Sequence, residues 1–168
     1  MKYIIIMLSA FLMITSNSYA QSVSKKAIKA EKQIAEQNKS IVKRFNTEFI
    51  ESGNMNTFNE LMADDFVNYT APVGSPTDKS GIVYFFNSIL RPAFSNIKVE
   101  IHEMMVDGDK VITRKTLSAV HTGDFFGVEA TNKTIALEVI DIIQLRDGKY
   151  IGHWGILDMY GLMAQLQQ

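Results

Sequence analysis

The chain is 168 residues long and nearly neutral, with 17 Lys and Arg against 18 Asp and Glu, and it contains no cysteine. That length suits one domain with a real core. The missing thiols exclude disulfides and a cysteine-linked lipid, and the charge balance offers nothing to nucleic acid or an anionic membrane surface.

Lys2, the apolar run from Tyr3 to Ile14, and the small residues Ser18 and Ala20 follow the order of a signal peptide, residues 1–20, cut after Ala20. The apolar run falls short of the ~20 residues of a bilayer span, and no later run is long enough. The expected protein is exported, periplasmic or secreted, with no stable membrane insertion after cleavage. Cleavage removes Lys2 alone from the charges, so acidic residues then exceed basic ones by two.

Residues 21–33, rich in Lys, read as a polar extension, either a solvated tail or frayed helical turns. The main domain is expected over 34–168. Ile34, Ile41, Val42, Phe45 and Phe49 recur at helical spacing and define one apolar stripe. Gly53 and Asn54 end that helix. Thr57 and Glu60 have capping-box spacing for a short second helix that buries Phe58, Leu61 and Met62. A brief extended piece, Phe66 to Tyr69, precedes a loop from Pro72 to Lys79. A third helix carries Ile82, Phe85, Phe86 and Ile89 and stops at Pro92.

The period then changes to two. Ile97, Val99 and Ile101 alternate with Lys98, Glu100 and His102 on a half-buried strand. Asp107-Gly108-Asp109 marks a hairpin turn. Strands follow over Val111 to His121, Ile135 to Arg146 and Tyr150 to Ile156, with Asp147-Gly148 as the last turn and a phenylalanine-bearing loop from Thr122 to Lys133. Met159, Leu162, Met163 and Leu166 suit a closing helix. Helices first and antiparallel strands after them mean α+β, with helices on one face of a curved sheet and a pocket between the layers.

Asp141 breaks the pattern most usefully. It shares a strand face with Ile135, Leu137, Val139, Ile143 and Leu145. A carboxylate there must be paired, hydrogen-bonded or wet. Either it is satisfied structurally by a neighbour, or it is a proton-transfer group in a site. His153, one tight turn away, either lines the same cavity as its acid–base partner or sits at the strand surface. His121 points into the cavity mouth or caps its loop. Asp158 suits the N-cap of the closing helix. His102 falls among exposed positions. No histidine pair has metal-ligand spacing, no glycine loop has phosphate-cradle context, and no serine sits in a nucleophile elbow, so no cofactor or metal is expected.

Several segments resemble the SnoaL-like polyketide cyclases and related ester cyclases from about Asn38 to Leu166. They are Phe45-Asn46-Thr47 to Gly53-Asn54, Met62-Ala63-Asp64-Asp65-Phe66-Val67-Asn68, His121-Thr122-Gly123-Asp124-Phe125-Phe126-Gly127-Val128, Arg146-Asp147-Gly148-Lys149 and His153-Trp154-Gly155-Ile156-Leu157-Asp158. The resemblance implies a nuclear transport factor 2-like cone, a homodimer through the outer sheet face, and cofactor-free acid–base closure of a ring by an aldol step. In the anthracycline ring-closing members an aspartate stands two residues after the last-strand histidine, and a histidine on the preceding strand. This chain has Gly155 and Asp141 there, so the pair is exchanged or altered and Gly155 should enlarge the cavity. Asp141, His153 and His121 are the catalytic candidates. Phe49, Asn68, Tyr69, Phe86, Trp154 and Asp158 are expected to line a pocket for a small apolar molecule. The alternative is a non-catalytic ligand-binding or assembly protein of the same fold.

Overall fold

The computed structural model describes residues 25–167, so the expected export signal and its cleavage position lie outside the described residues. The chain divides into two units, one ending at Glu36 and one beginning at Gln37. In the first, residues 25–36 are helical, and Ile34, expected on the buried stripe, is exposed.

The second unit starts with α1, helical over residues 37–44 and continuing into the wider π-helical turn Phe45–Glu51. Its stripe of Val42, Phe45 and Phe49 is buried as the spacing predicts. Gly53 takes a positive φ of 73°, and the chain turns there. Helix α2, Met55–Leu61, is capped by Asn54, whose side chain accepts from the amides of Asn56 and Thr57. The expected Thr57–Glu60 box does not form. Thr57 is one turn too far in and buried, and its hydroxyl donates to Glu48 at 2.6 Å, while Glu60 pairs with Arg44.

Strand β1, Met62–Asn68, is longer than the extended piece read from sequence. Helix α3 runs through Lys79–Tyr84, a second π-helical stretch Phe85–Leu90, and a last turn Arg91–Ala93. Pro92 sits inside that last turn, and β2, Phe94–Asp107, follows at once. Then come β3, Lys110–His121, β4, Thr134–Arg146, β5, Lys149–Leu157, and the closing helix α4, Met159–Gln167. Among the described residues no helix is long and apolar enough to cross a membrane.

The sheet order is β1-β5-β4-β3-β2. The pairs from β2 to β5 are antiparallel. The sequence reading made the whole sheet antiparallel, but β1 lies parallel to β5. Register breaks in β2, between Ser95 and Lys98 and between Ile101 and Glu103, are of the kind that bends a strand and deepens its twist. The core lies between the helices and the concave face, and includes Phe49, Phe58, Leu90, Val111, Leu137 and Ile135, all essentially inaccessible. Each such side chain contributes about 1.5–3 kcal/mol by leaving water.

Candidate functional site

Strict alternation puts Val111, Thr113, Lys115, Leu117, Ala119 and His121 on the inner face of β3, and Ile135 to Leu145 in steps of two on that of β4. Two of these residues are charged. Asp141 opposes Thr113 and Lys115 opposes Val139, so Lys115 and Asp141 are diagonal neighbours within reach of a long side chain. On the other side Asp141 opposes Gly155, and His153 opposes Ile143. Asn68 of β1 opposes His153. One polar row therefore crosses four strands, with Asn68, His153, Asp141 and Lys115 supplied in turn by β1, β5, β4 and β3.

The row is continuous. Lys115 Nζ lies 2.6 Å from Asp141 Oδ2 and donates to Asn46 Oδ1 of α1 at 2.7 Å. Asn46 is held by its own amide, which donates to Val42 O. His153 Nε2 meets Asp141 Oδ1 at 3.0 Å, and Nδ1 meets Asn68 Oδ1 at 3.1 Å. The Thr70 backbone N–H also donates to Asn68 Oδ1, which fixes that atom as the acceptor. Both nitrogens of His153 therefore face oxygen acceptors, an arrangement that an imidazolium satisfies with two N–H groups. Thr70 Oγ1 closes the row by accepting from Gly155 N at 2.9 Å.

Burial alone would push the Asp141 carboxyl up, but the Lys115 ammonium and then His153 outweigh it and hold the group well below the usual carboxylate range. The sequence had offered only the histidine for that second effect. Tyr150 behaves oppositely. Burial, and after it the Asp141 charge, push its phenol well above its ordinary value, and its hydroxyl has no hydrogen-bond partner among the described residues.

The row forms one end of a cavity of about 500 Å³. The rest is mostly apolar, with Phe45, Phe66, Phe86, Leu117, Leu137 and Met159 among the lining residues. Both π-helical stretches contribute, through Phe45, Asn46 and Ile50 and through Phe85, Phe86, Ile89 and Leu90. A widened turn shifts the side chains that follow it, which is one way irregular helices come to sit at sites.

Of the sequence candidates, Asp141, His153, Asn68 and Phe86 lie on the cavity. Five others do not. His121 is buried beneath the loop after β3, where Nδ1 takes the Thr131 N–H and the ring lies 5.2 Å from Phe94. Phe49 is fully buried in the aromatic core between Phe45 and Phe58. Tyr69 and Trp154 stack on each other, with Lys110 over the indole, because Trp154 has the outward parity of β5. Asp158 accepts from Gly161 N at 2.8 Å and caps α4. Gly155 also differs from expectation. A Cβ there would stand 2.7 Å from His153 Nε2 and 2.8 Å from Asp141 Oδ1, so the room it leaves is taken by their contact and is not extra cavity.

Sequence reasoning missed Lys115, Asn46 and Tyr150. The first two had a signal. Lys115 has the parity of Val111, Leu117 and Ala119, and Asn46 falls on the stripe of Val42, Phe45 and Phe49. Tyr150 had none, because Ile151 is bulged out of register between Tyr150 and Gly152. That bulge lets Tyr150 and His153, an odd number of residues apart, both line the cavity.

No curated protein matches the chain. Among solved structures, IdmH, a proposed polyketide cyclase from Streptomyces antibioticus, is 27% identical with a TM-score of 0.71, over 79% of this chain and 99% of that one. A proposed polyketide cyclase from Acidithiobacillus ferrooxidans is 26% identical with a TM-score of 0.70, over 79% and 95%. An M. tuberculosis LEH-like epoxide hydrolase, 16% identical with a TM-score of 0.58 over 78% and 90%, shares the fold alone. The family model for SnoaL-like polyketide cyclases matches residues 40–166, and the chain belongs to that family, with its nuclear transport factor 2-like α+β fold.

Proposed function

We propose that the cavity carries out cofactor-free acid–base chemistry on a small, largely apolar carbonyl compound, of the aldol-cyclisation, isomerisation or hydration type. The observation that carries this reading is the His153–Asp141 pair at the polar end of an otherwise apolar cavity. Asp141, ion-paired with Lys115, stays a carboxylate at neutral pH and is a poor proton donor. Its part is to orient His153 and to stabilise that ring when it is charged. His153 then moves the proton to or from the ligand, a role that typically contributes ~10²–10⁴-fold in rate. Gly155 leaves the space in which His153 and Asp141 meet.

The test is exchange of α-protons for deuterium in a panel of aryl and alicyclic ketones, followed by proton NMR. Exchange is expected with the wild type and lost by ~10²-fold or more in His153→Asn. A panel with no exchange above buffer would sink the reading. A second reading, ligand binding without turnover, is favoured by the full pairing of Asp141. Ketone binding without exchange is its signature.

Export after cleavage behind Ala20 is part of the same proposal, supported by the charged–apolar–small order of the first 20 residues. N-terminal sequencing of the fractionated protein should begin at Gln21, and a cytoplasmic protein retaining Met1 would refute it. A homodimer through the outer sheet face is also proposed. It is supported by exposed Ile140 and Ile156 on adjoining strands and is measurable by light scattering.

A further inference from the structure

The cavity is several times larger than one ring requires. An apolar cavity of about 150 Å³ already holds a benzene, and this one measures about 500 Å³. Its lining residues fall into two groups by exposure. Phe45, Met62, Phe66, Leu117, Leu137 and Tyr150 are buried and belong to the floor, whereas Thr70, Pro72, Pro76, Tyr84 and Phe126 are exposed and belong to the rim.

Phe126 is out of place on two counts. Phe125 and Val128 exchange both backbone N–H···O bonds, at 3.0 and 3.1 Å, around a two-residue turn. Phe126 and Gly127, its central residues, have φ of 50° and 82°. Asn, Asp or Gly suits the first of these positions, and a bulky side chain there is strained. The ring is also 64% exposed, so its edge contact with Phe125 at 4.6 Å leaves most of it uncovered. Strain of this kind persists where the surroundings over-determine the backbone. They do so here. Thr122 N and Gly123 N both donate to Ala93 O at the end of α3, at 2.9 and 3.0 Å, and a Cβ on Gly123 would run into the Pro92 carbonyl. Phe125 is buried against Phe94, with ring centroids 4.9 Å apart. At the far end of the loop Asn132 N donates to His121 O. Phe126 is thus a fixed wall of the rim, held there in spite of backbone strain and exposed apolar surface.

We infer that Phe126 is a specificity-determining residue. Its ring packs against the part of the ligand that extends beyond the buried floor, so the cavity prefers flat apolar molecules of two or more fused rings to single-ring ones. The inference rests on the functional reading above only for the carbonyl group of that ligand, and the preference for size and shape stands without it.

The test is a size series of methyl ketones, acetophenone, 2-acetylnaphthalene and 2-acetylanthracene, with anthracene as a probe that lacks the carbonyl. Dissociation constants are measured by equilibrium dialysis. Phe126→Asn removes the ring and supplies a residue suited to positive φ. It should weaken 2-acetylanthracene and anthracene about tenfold and acetophenone less than about twofold, with no fall in melting temperature. Phe126→Tyr keeps the ring and should keep the wild-type order. A ring that merely braces Phe125 behaves differently, because Phe126→Asn would then lower the melting temperature and weaken every ligand alike. That result would overturn the inference. A wild type that exchanges the α-protons of acetophenone but binds none of the larger molecules would also overturn it, and would leave the acid–base reading standing. Binding of none of the four probes would overturn both. Size-selective binding that depends on Phe126, without proton exchange, would uphold the inference and remove the acid–base reading instead.

Discussion

Asp141 is legible in the sequence because one ionisable group interrupts six inner-face positions of a strand, and the alternation leaves it nowhere else to point. Its partners are harder to read, since they come from three other strands and a helix, and their meeting depends on register. The ion pair makes a pH prediction. Asp141 has a folded value below the ordinary carboxyl value, so at acid pH the unfolded chain binds the proton that the folded chain refuses. Its contribution to stability is complete above the unfolded value of about 3.9 and declines as pH falls below it. Urea midpoints measured from about pH 6 downward should drop more steeply below pH ~4 in the wild type than in Asp141→Asn. Parallel acid limbs would show that the pair is not formed in solution. Gly155 gives a second prediction at this scale. Alanine there intrudes on the His153–Asp141 contact, and both partners are pinned from behind by Asn68 and Lys115. Overpacking of this kind costs about 1–3 kcal/mol. Gly155→Ala should lower stability by that amount and suppress the ketone exchange, whereas a merely spacious position would accept the methyl group without effect.

Elements were legible where their signals are local. Asp147 and Gly148 both adopt positive φ, 52° and 76°, as a two-residue hairpin turn with this sequence should. The π-helical turns and the Ile151 bulge were not, because each is a compromise between backbone and packing that no short pattern announces. The end of α1 shows a helix completed by a distant residue. Arg91 donates from its guanidinium to the carbonyls of Phe49, Ile50 and Glu51 in the last turn, the first of which also takes the Ser52 and Gly53 N–H groups. Gly53 has no side chain to obstruct that approach, for a Cβ would lie 3.1 Å from the guanidinium carbon. Arg91→Met keeps the stem and removes these bonds. It should cost about 1–3 kcal/mol in unfolding free energy and loosen α1, read as faster amide exchange at residues 45–51. Unchanged exchange there would mean that water replaces the arginine without penalty.

The molecule as a whole is a shell around an apolar space, and its class was legible from the order of helices and strands. The pocket's floor was legible only in part, since four of its polar groups depend on which strand lies beside which. A shell of this kind gains stability from whatever fills it. At about a hundred times its dissociation constant, a ligand adds about 2.7 kcal/mol. Thermal unfolding with a saturating aryl ketone should therefore shift upward by several degrees, and the shift should shrink in Phe86→Trp, which narrows the cavity. A shift of equal size in that variant would place the binding elsewhere.

The parallel seating of β1 against β5 has a consequence in time. Asn68 meets its strand partner His153 only after the chain has been made 85 positions further, so the edge strand waits unpaired while half of the 168-residue chain is made. Long-range closure of this sort is slow, because the loop must be ordered before the pairing rewards it. The charged row cannot assemble on a partial chain either, as its members span Asn46 to His153. A nascent polypeptide released short of Lys149 should therefore stay open and protease-sensitive, and resistance should appear in one step when β5 and α4 are added.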